Sequence, residues 1–203
     1  MEGQIEQVKQ RCYLLELPAE IRTYIFELAI RSDKTVVTFR SDDYQEDTLQ
    51  EATQPSLTRA NRQLRLETLP LFYSLNTFVL HTEGNKASDA LGWAQGNEAY
   101  LPDLLRISFW QRFVTLTNDR SSSNGAICLT IERPKRSAEW RVCNEWSWVT
   151  VTRRPNGVSV DAGFLMGSLR RMLAESADVL DTAGGVYGFL TDLRLLYVKE
   201  KMS

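Results

Sequence analysis

Hydrophobic positions recur at helical spacing early in the chain, at strand spacing in its middle and at helical spacing again towards its end. Leu17 and Pro18 introduce a predicted helix over 19–30, in which Ile21, Ile25, Leu28 and Ala29 share one face and Phe26 and Ile30 a second. Proline suits a helix start, because the amides of the first turn have no partner to lose. Two apolar faces imply burial on both sides or a cover supplied by something else. The β-branched alternation over 35–40 predicts a short strand. Leu57, Ala60, Leu64, Thr68 and Leu71 predict a helix from Ser56, kinked or divided at Pro70, and 77–82 reads as a strand. A weaker helix is expected over 87–100, where Gly92 and Gly96 lower helix propensity.

Beyond Pro102 the pattern changes to strands at 107–116, 126–132, 139–143 and 146–152, with turns at 121–125 and 155–157. Asp161 is expected to cap a helix over 162–180. Gly184 and Gly185 separate it from another over 186–199, whose Lys199 and Lys201 suit the carboxyl end of a helix dipole. The fold class expected is α+β: N-terminal helices, a mainly antiparallel sheet and two C-terminal helices packed as one compact unit over 1–203. Within it, 11–82 forms a helical entry and 83–203 the sheet with the C-terminal helices.

Composition narrows the function. The chain has 203 residues, enough for one domain or two tightly packed halves. A formal net charge of -2 gives no global attraction to nucleic acid or acidic membranes. No apolar run approaches a membrane span, and the polar start, Met1 to Gln10, lacks a secretory signal, so an intracellular site, cytoplasmic or nuclear, is expected. Cys12, Cys128 and Cys143 are odd in number and without C-x-x-C spacing, which reads as reduced thiols filling a core. The acidic stretch 41–54 reads as a solvated surface insertion, or as an attraction for a basic partner.

His81 is the only histidine, which excludes a two-histidine metal centre within one chain, and no G-x-S-x-G elbow supports it in a triad. Phosphate-binding glycine motifs are also missing. No catalytic residue, cofactor or metal site is therefore expected. Trp140, Trp146 and Trp148 alternate with Arg136, Arg141, Arg153 and Arg154. Such a set suits stacking and phosphate contact with single-stranded nucleic acid, and equally suits a half-buried strand whose tryptophans pack under helices.

Two stretches, LLELPAEIRTYIFEL over 14–28 and NRQLRLETLPLFYSLNTF over 61–78, resemble a large family of F-box-like fungal proteins that share an L-P-x-E-I-R helix and a later R-Q-[IL]-x-x-E-x-L-P-[IL]-[FY]-Y segment. The resemblance covers roughly the first 80 residues. It implies docking of the helical entry on the Skp adaptor of a cullin-RING ubiquitin ligase, with the rest of the chain recruiting a substrate. Leu17, Pro18, Ile21, Ile25 and Leu28 stand where docking residues would stand. The same stripe is also what a domain's own core presents. Glu20 and Arg22 on the first helix face Arg62, Arg65 and Glu67 on the second as candidate ion pairs fixing helix register. The function expected is a non-catalytic protein-interaction or adaptor protein. The alternative is a single-stranded nucleic-acid or small-ligand binder using Trp140, Arg141, Trp146, Trp148, Arg153 and Arg154.

Overall fold

The computed structural model describes residues 12–32, 35–38, 49–114, 125–149, 154–176 and 178–203. Residues 1–11, most of the acidic 41–54 stretch, the 121–124 turn and Arg153 lie outside them. The helical entry consists of α1 (Tyr13–Glu16), α2 (Ala19–Ile30) and α3 (Arg62–Leu75), with a 3-10 turn, Ser56–Arg59, before α3. Pro18 precedes the first residue of α2, and the Arg31 amide closes its end on the Glu27 carbonyl. Asn61 caps α3, its side-chain oxygen accepting the Leu64 amide at 2.8 Å. Helix α3 runs on through Pro70. The carbonyl that Pro70 leaves without its amide belongs to Leu66, an exposed residue, where water can serve it.

Six strands form one sheet in the order β2-β1-β3-β4-β5-β6: β1 (Thr35–Val37), β2 (Leu49–Glu51), β3 (Thr77–His81), β4 (Arg106–Arg112), β5 (Ala126–Glu132) and β6 (Arg141–Val149). The class is α+β and the pairing is mixed. β2, β1, β3 and β4 run parallel, and among the described residues antiparallel ladders join β4 to β5 and β5 to β6. The parallel half arises because helices intervene: α3 precedes β3, and α4 (Gly84–Gly96) with the 3-10 segment Glu98–Asp103 connects β3 to β4, the crossover that parallel neighbours require. The two strands expected at 139–143 and 146–152 are one strand with an irregularity opposite Leu129 to Ile131.

Alternation along the strands sends Phe78, Leu80, Ile107, Phe109, Ile127, Leu129 and Ile131 to the face covered by helices. There they meet α5 (Val158–Glu175) and α6 (Ala183–Met202), and one buried cluster extends from Ile30 to Tyr197. Val79, Trp110 and Ala126 form a small second cluster on the other face. Helix α5 starts earlier than its sequence suggests, because Gly157, at φ +86°, turns the chain in the left-handed region. Asp161 accordingly lies within the helix, where it accepts from Tyr197 Oη and from Lys201 Nζ and so fastens α5 to α6. Gly184 and Gly185 belong to the first turn of α6, capped by the Thr182 hydroxyl, rather than to a linker.

Candidate protein-docking surface

Helix α2 carries two apolar faces with opposite fates. Phe26 and Ile30 are buried, Phe26 completely. Ile21 is 50% exposed, Tyr24 62%, Ile25 36% and Leu28 67%, at the i, i+3, i+4, i+7 spacing that makes one continuous stripe. Neighbouring segments add Tyr13 from α1 and Leu66 from α3, 73% and 62% exposed. Leu17 is half-buried and Pro18 exposed. The expectation that this stripe could serve as the domain's own core fails for Ile21, Ile25 and Leu28, since the face holding Phe26 and Ile30 takes that role. Tyr13, Tyr24 and Leu66 were not singled out by sequence. Tyr24 could have been found by its spacing from Ile21, and Leu66 by its place outside the Leu64–Thr68–Leu71 face.

The stripe is held in place by Arg22. Its Nε and Nη2 donate to the two Glu67 carboxylate oxygens, each at 3.0 Å, and Nη1 donates to the Leu17 carbonyl at 2.6 Å. The guanidinium fork satisfies all of these at once, which an ammonium could not. Gln63 donates a further bond to Glu67 at 2.9 Å. The Arg22 hydrogen bond, followed by the one from Gln63, holds the Glu67 carboxyl below its ordinary range. Of the five charged residues considered as helix-pinning partners, Arg22 and Glu67 meet, whereas Arg62 and Arg65 are exposed.

The opposite ends of α2 and α3 meet at Asn76. Its Oδ1 accepts the Ser32 amide at 2.7 Å, and its Nδ2 donates to the Ile30 and Phe72 carbonyls at 3.1 and 2.8 Å. The side chain thus satisfies terminal groups of both helices inside the protein. With Arg22 at one end and Asn76 at the other, α2 cannot roll to bury its outward stripe without breaking both.

The three tryptophans are not exposed together: Trp140 is buried, and Trp146 and Trp148 are half-buried. Trp140 is buried and lies 4.4 Å from the guanidinium of Arg133, a residue that sequence reasoning passed over. Arg133 is itself buried, donating to the Leu104 and Pro102 carbonyls and to Asp181 at 2.9, 2.8 and 3.2 Å. Trp146 and Trp148 oppose Leu129 and Ile127 across the ladder and pack with them against the helical side. Trp148 also lies across Gly125, where a Cβ would fall within the space its ring occupies. Arg154 sits 5.5 Å over Trp146, and Arg141 is exposed.

His81 is buried beside Trp110, and desolvation, with Lys86 nearby, pushes its pKa down to about 2, so it stays neutral. All three cysteines are free. Cys12 is exposed and Cys128 and Cys143 half-buried, so the reading of all three as core filler does not hold for Cys12. Among the described residues no three of His, Cys, Asp and Glu gather as metal ligands, and no helix is long and apolar enough to cross a membrane. In comparison with known proteins, no family model matches the chain, and no curated protein or solved structure is significantly similar to it.

Proposed function

We propose that the chain is a non-catalytic adaptor acting inside the cell, and that its helical entry docks through Ile21, Tyr24, Ile25 and Leu28 on a protein partner. The partner that the two N-terminal motifs suggest is the Skp adaptor of a cullin-RING ligase. The observation carrying this reading is the outward stripe of α2, four large apolar residues on a helix whose other face already supplies the core. Exposed apolar residues scattered singly need no explanation, but a continuous stripe rimmed by charge marks a contact surface. Leu17 and Pro18 enter it from the preceding turn.

The test is calorimetric titration of the Skp adaptor into the wild-type chain and into Ile21→Asp and Leu28→Asp variants. Both substitutions fall at exposed positions, so the variants stay folded. Full burial of one such side chain is worth about 1.5–3 kcal/mol, so each variant is expected to bind about tenfold more weakly or worse. A wild-type chain that does not bind removes the adaptor reading, and variants that bind as tightly as wild type remove the surface.

A further inference from the structure

Strand β6 is the outer strand of the sheet, paired on one side with β5 and on the other with no described strand. The direction of its backbone groups follows from its neighbours. The Arg133 amide donates to the Leu105 carbonyl and the Phe113 amide to the Gly125 carbonyl. Odd-numbered residues of β5 therefore turn their backbone groups towards β4, and even-numbered ones towards β6. Val142 and Trp146 oppose Ile131 and Leu129, so their N–H and C=O point outward, and both residues remain partly exposed. Neither proline nor lysine blunts this edge. The irregularity opposite Leu129 to Ile131 interrupts its first half and leaves the ladder regular from Trp146 onwards.

Helix α5 runs antiparallel to this edge, its end lining a groove with the start of β6, where Leu173 and Ala174 meet Trp140 and Val142. Arg170 donates to Asn144 Oδ1 at 3.1 Å, which sets its face of the helix on the β6 side. Gly163 stands seven residues earlier on the same face, with Ser159 and Gly167 one turn to either side. Glycine is a poor helix former, and the chain's own packing does not call for it here: a Cβ on Gly163 or Gly167 meets no described atom within 4 Å. Ser159 and Gly163 are exposed. Small residues at every fourth position let a second helix backbone come close. Seven residues of helix and three of strand each span about 10 Å, so Gly163 stands level with Ser147. The outward strand edge and the row of small residues thus share one centre.

We propose that this side of the molecule binds a second copy of the chain about a two-fold axis passing Ser147 and Gly163. Strand β6 then lies antiparallel to its copy, with the Trp146 N–H and C=O directed at it, and α5 crosses its own copy at Gly163. A two-fold interface must complement itself, and an edge strand and a helix row with a common centre meet that demand together. The axis sets Glu145 opposite Val149 of the second copy, whereas an axis at Glu145 would oppose two carboxylates. Specific interfaces bury about 1,200–2,000 Å² in total, more than a short strand ladder supplies, and the helix seam is the second layer that such an area needs. The site is independent of the adaptor reading, since α2 belongs to the helical entry.

Sedimentation equilibrium of the full chain tests it. The wild type is expected to pass from one chain mass to two as its concentration rises through the micromolar range. The side chain of Gly163→Leu meets open space within its own chain and holds the two helices apart, so this variant is expected to associate at least about tenfold more weakly. Ser159→Lys, at an exposed position in the same row, carries the same test should Gly163→Leu fold poorly. Ile21→Asp is expected to associate as the wild type does. Hydrogen exchange at the Trp146 amide is expected to slow at high concentration of the wild type. A single chain mass throughout, unchanged association of the folded row variant, association lost in Ile21→Asp, or exchange at Trp146 that ignores concentration overturns the proposal. None of these results decides whether α2 binds the Skp adaptor, which the calorimetric titration of the α2 variants tests separately.

Discussion

Arg22 and Glu67, 45 residues apart in sequence, meet in a two-pronged ion pair that joins the two N-terminal motifs. Each belongs to a charged position that the motif spacing repeats, the arginine of L-P-x-E-I-R and the glutamate of R-Q-L-x-x-E. The same guanidinium takes up the Leu17 carbonyl in the turn before α2. One side chain thus sets the angle of α2 against α3 and the path of the chain entering it, and through both the outward direction of Ile21 and Leu28.

The pair makes stability depend on pH with a definite sign. Glu67 is held below its ordinary pKa in the folded protein, so its contribution is complete above the unfolded value of about 4.3 and is lost as pH falls through the lower folded value. At pH 7, Glu67→Gln is expected to melt below wild type, and the gap is expected to close below about pH 4. Arg22→Lys should also melt lower, because an ammonium cannot hold both carboxylate oxygens and the Leu17 carbonyl. A gap between wild type and Glu67→Gln that is unchanged from pH 7 to pH 3 would show that the carboxylate contributes through shape alone.

Asn76→Ala removes the three hydrogen bonds by which this side chain ties the ends of α2 and α3, to the Ser32 amide and to the Ile30 and Phe72 carbonyls. Unsatisfied buried groups of this kind cost about 1–3 kcal/mol. Urea unfolding should report a loss of about 2 kcal/mol with an unchanged slope, since the surface exposed on unfolding hardly changes. Asn76→Asp should also destabilise, because it keeps the acceptor for Ser32 and loses both Nδ2 bonds.

Gly125→Ala places a methyl group inside the present position of the Trp148 ring. The ring must move, and it is packed edge-on to Phe113 at 5.9 Å. Overpacking at such a contact typically costs about 1–3 kcal/mol. Urea unfolding should show that loss, with a changed tryptophan emission in the folded state. An unchanged stability and spectrum would mean that Trp148 has room to yield.

Much of the layout is legible in the chain. The bounds of α2 and β5 follow from their periodicity and from the turns and proline beside them. What escaped depends on partners distant in sequence. Nothing local tells β1 to lie parallel to β3, because Val36 meets Phe78 only after α3 has folded between them. Asn144 and Glu145 look like a break between strands, yet on an outer strand polar residues can face water without ending the ladder. Asp161 carries the signature of a cap, and its true partners, Tyr197 and Lys201, lie 36 and 40 residues later. For the candidate site, the stripe on α2 could be read directly. Which of its two apolar faces stays outside could not, because hydrophobicity alone is nearly balanced around that helix.

That division of faces yields a sharp contrast between neighbouring substitutions on α2. Phe26 is fully buried, so Phe26→Ala empties a packed position and is expected to cost about 3–5 kcal/mol. Leu28, two residues on, is 67% exposed, and Leu28→Asp is expected to stay within about 0.5 kcal/mol of wild type. Urea unfolding of both variants at neutral pH measures the difference. If Leu28→Asp destabilises as much as Phe26→Ala, the stripe is part of the core and α2 has no free face to offer. If only Phe26→Ala does, the apolar stripe contributes little to folding, and the proposal that it is a docking surface stands.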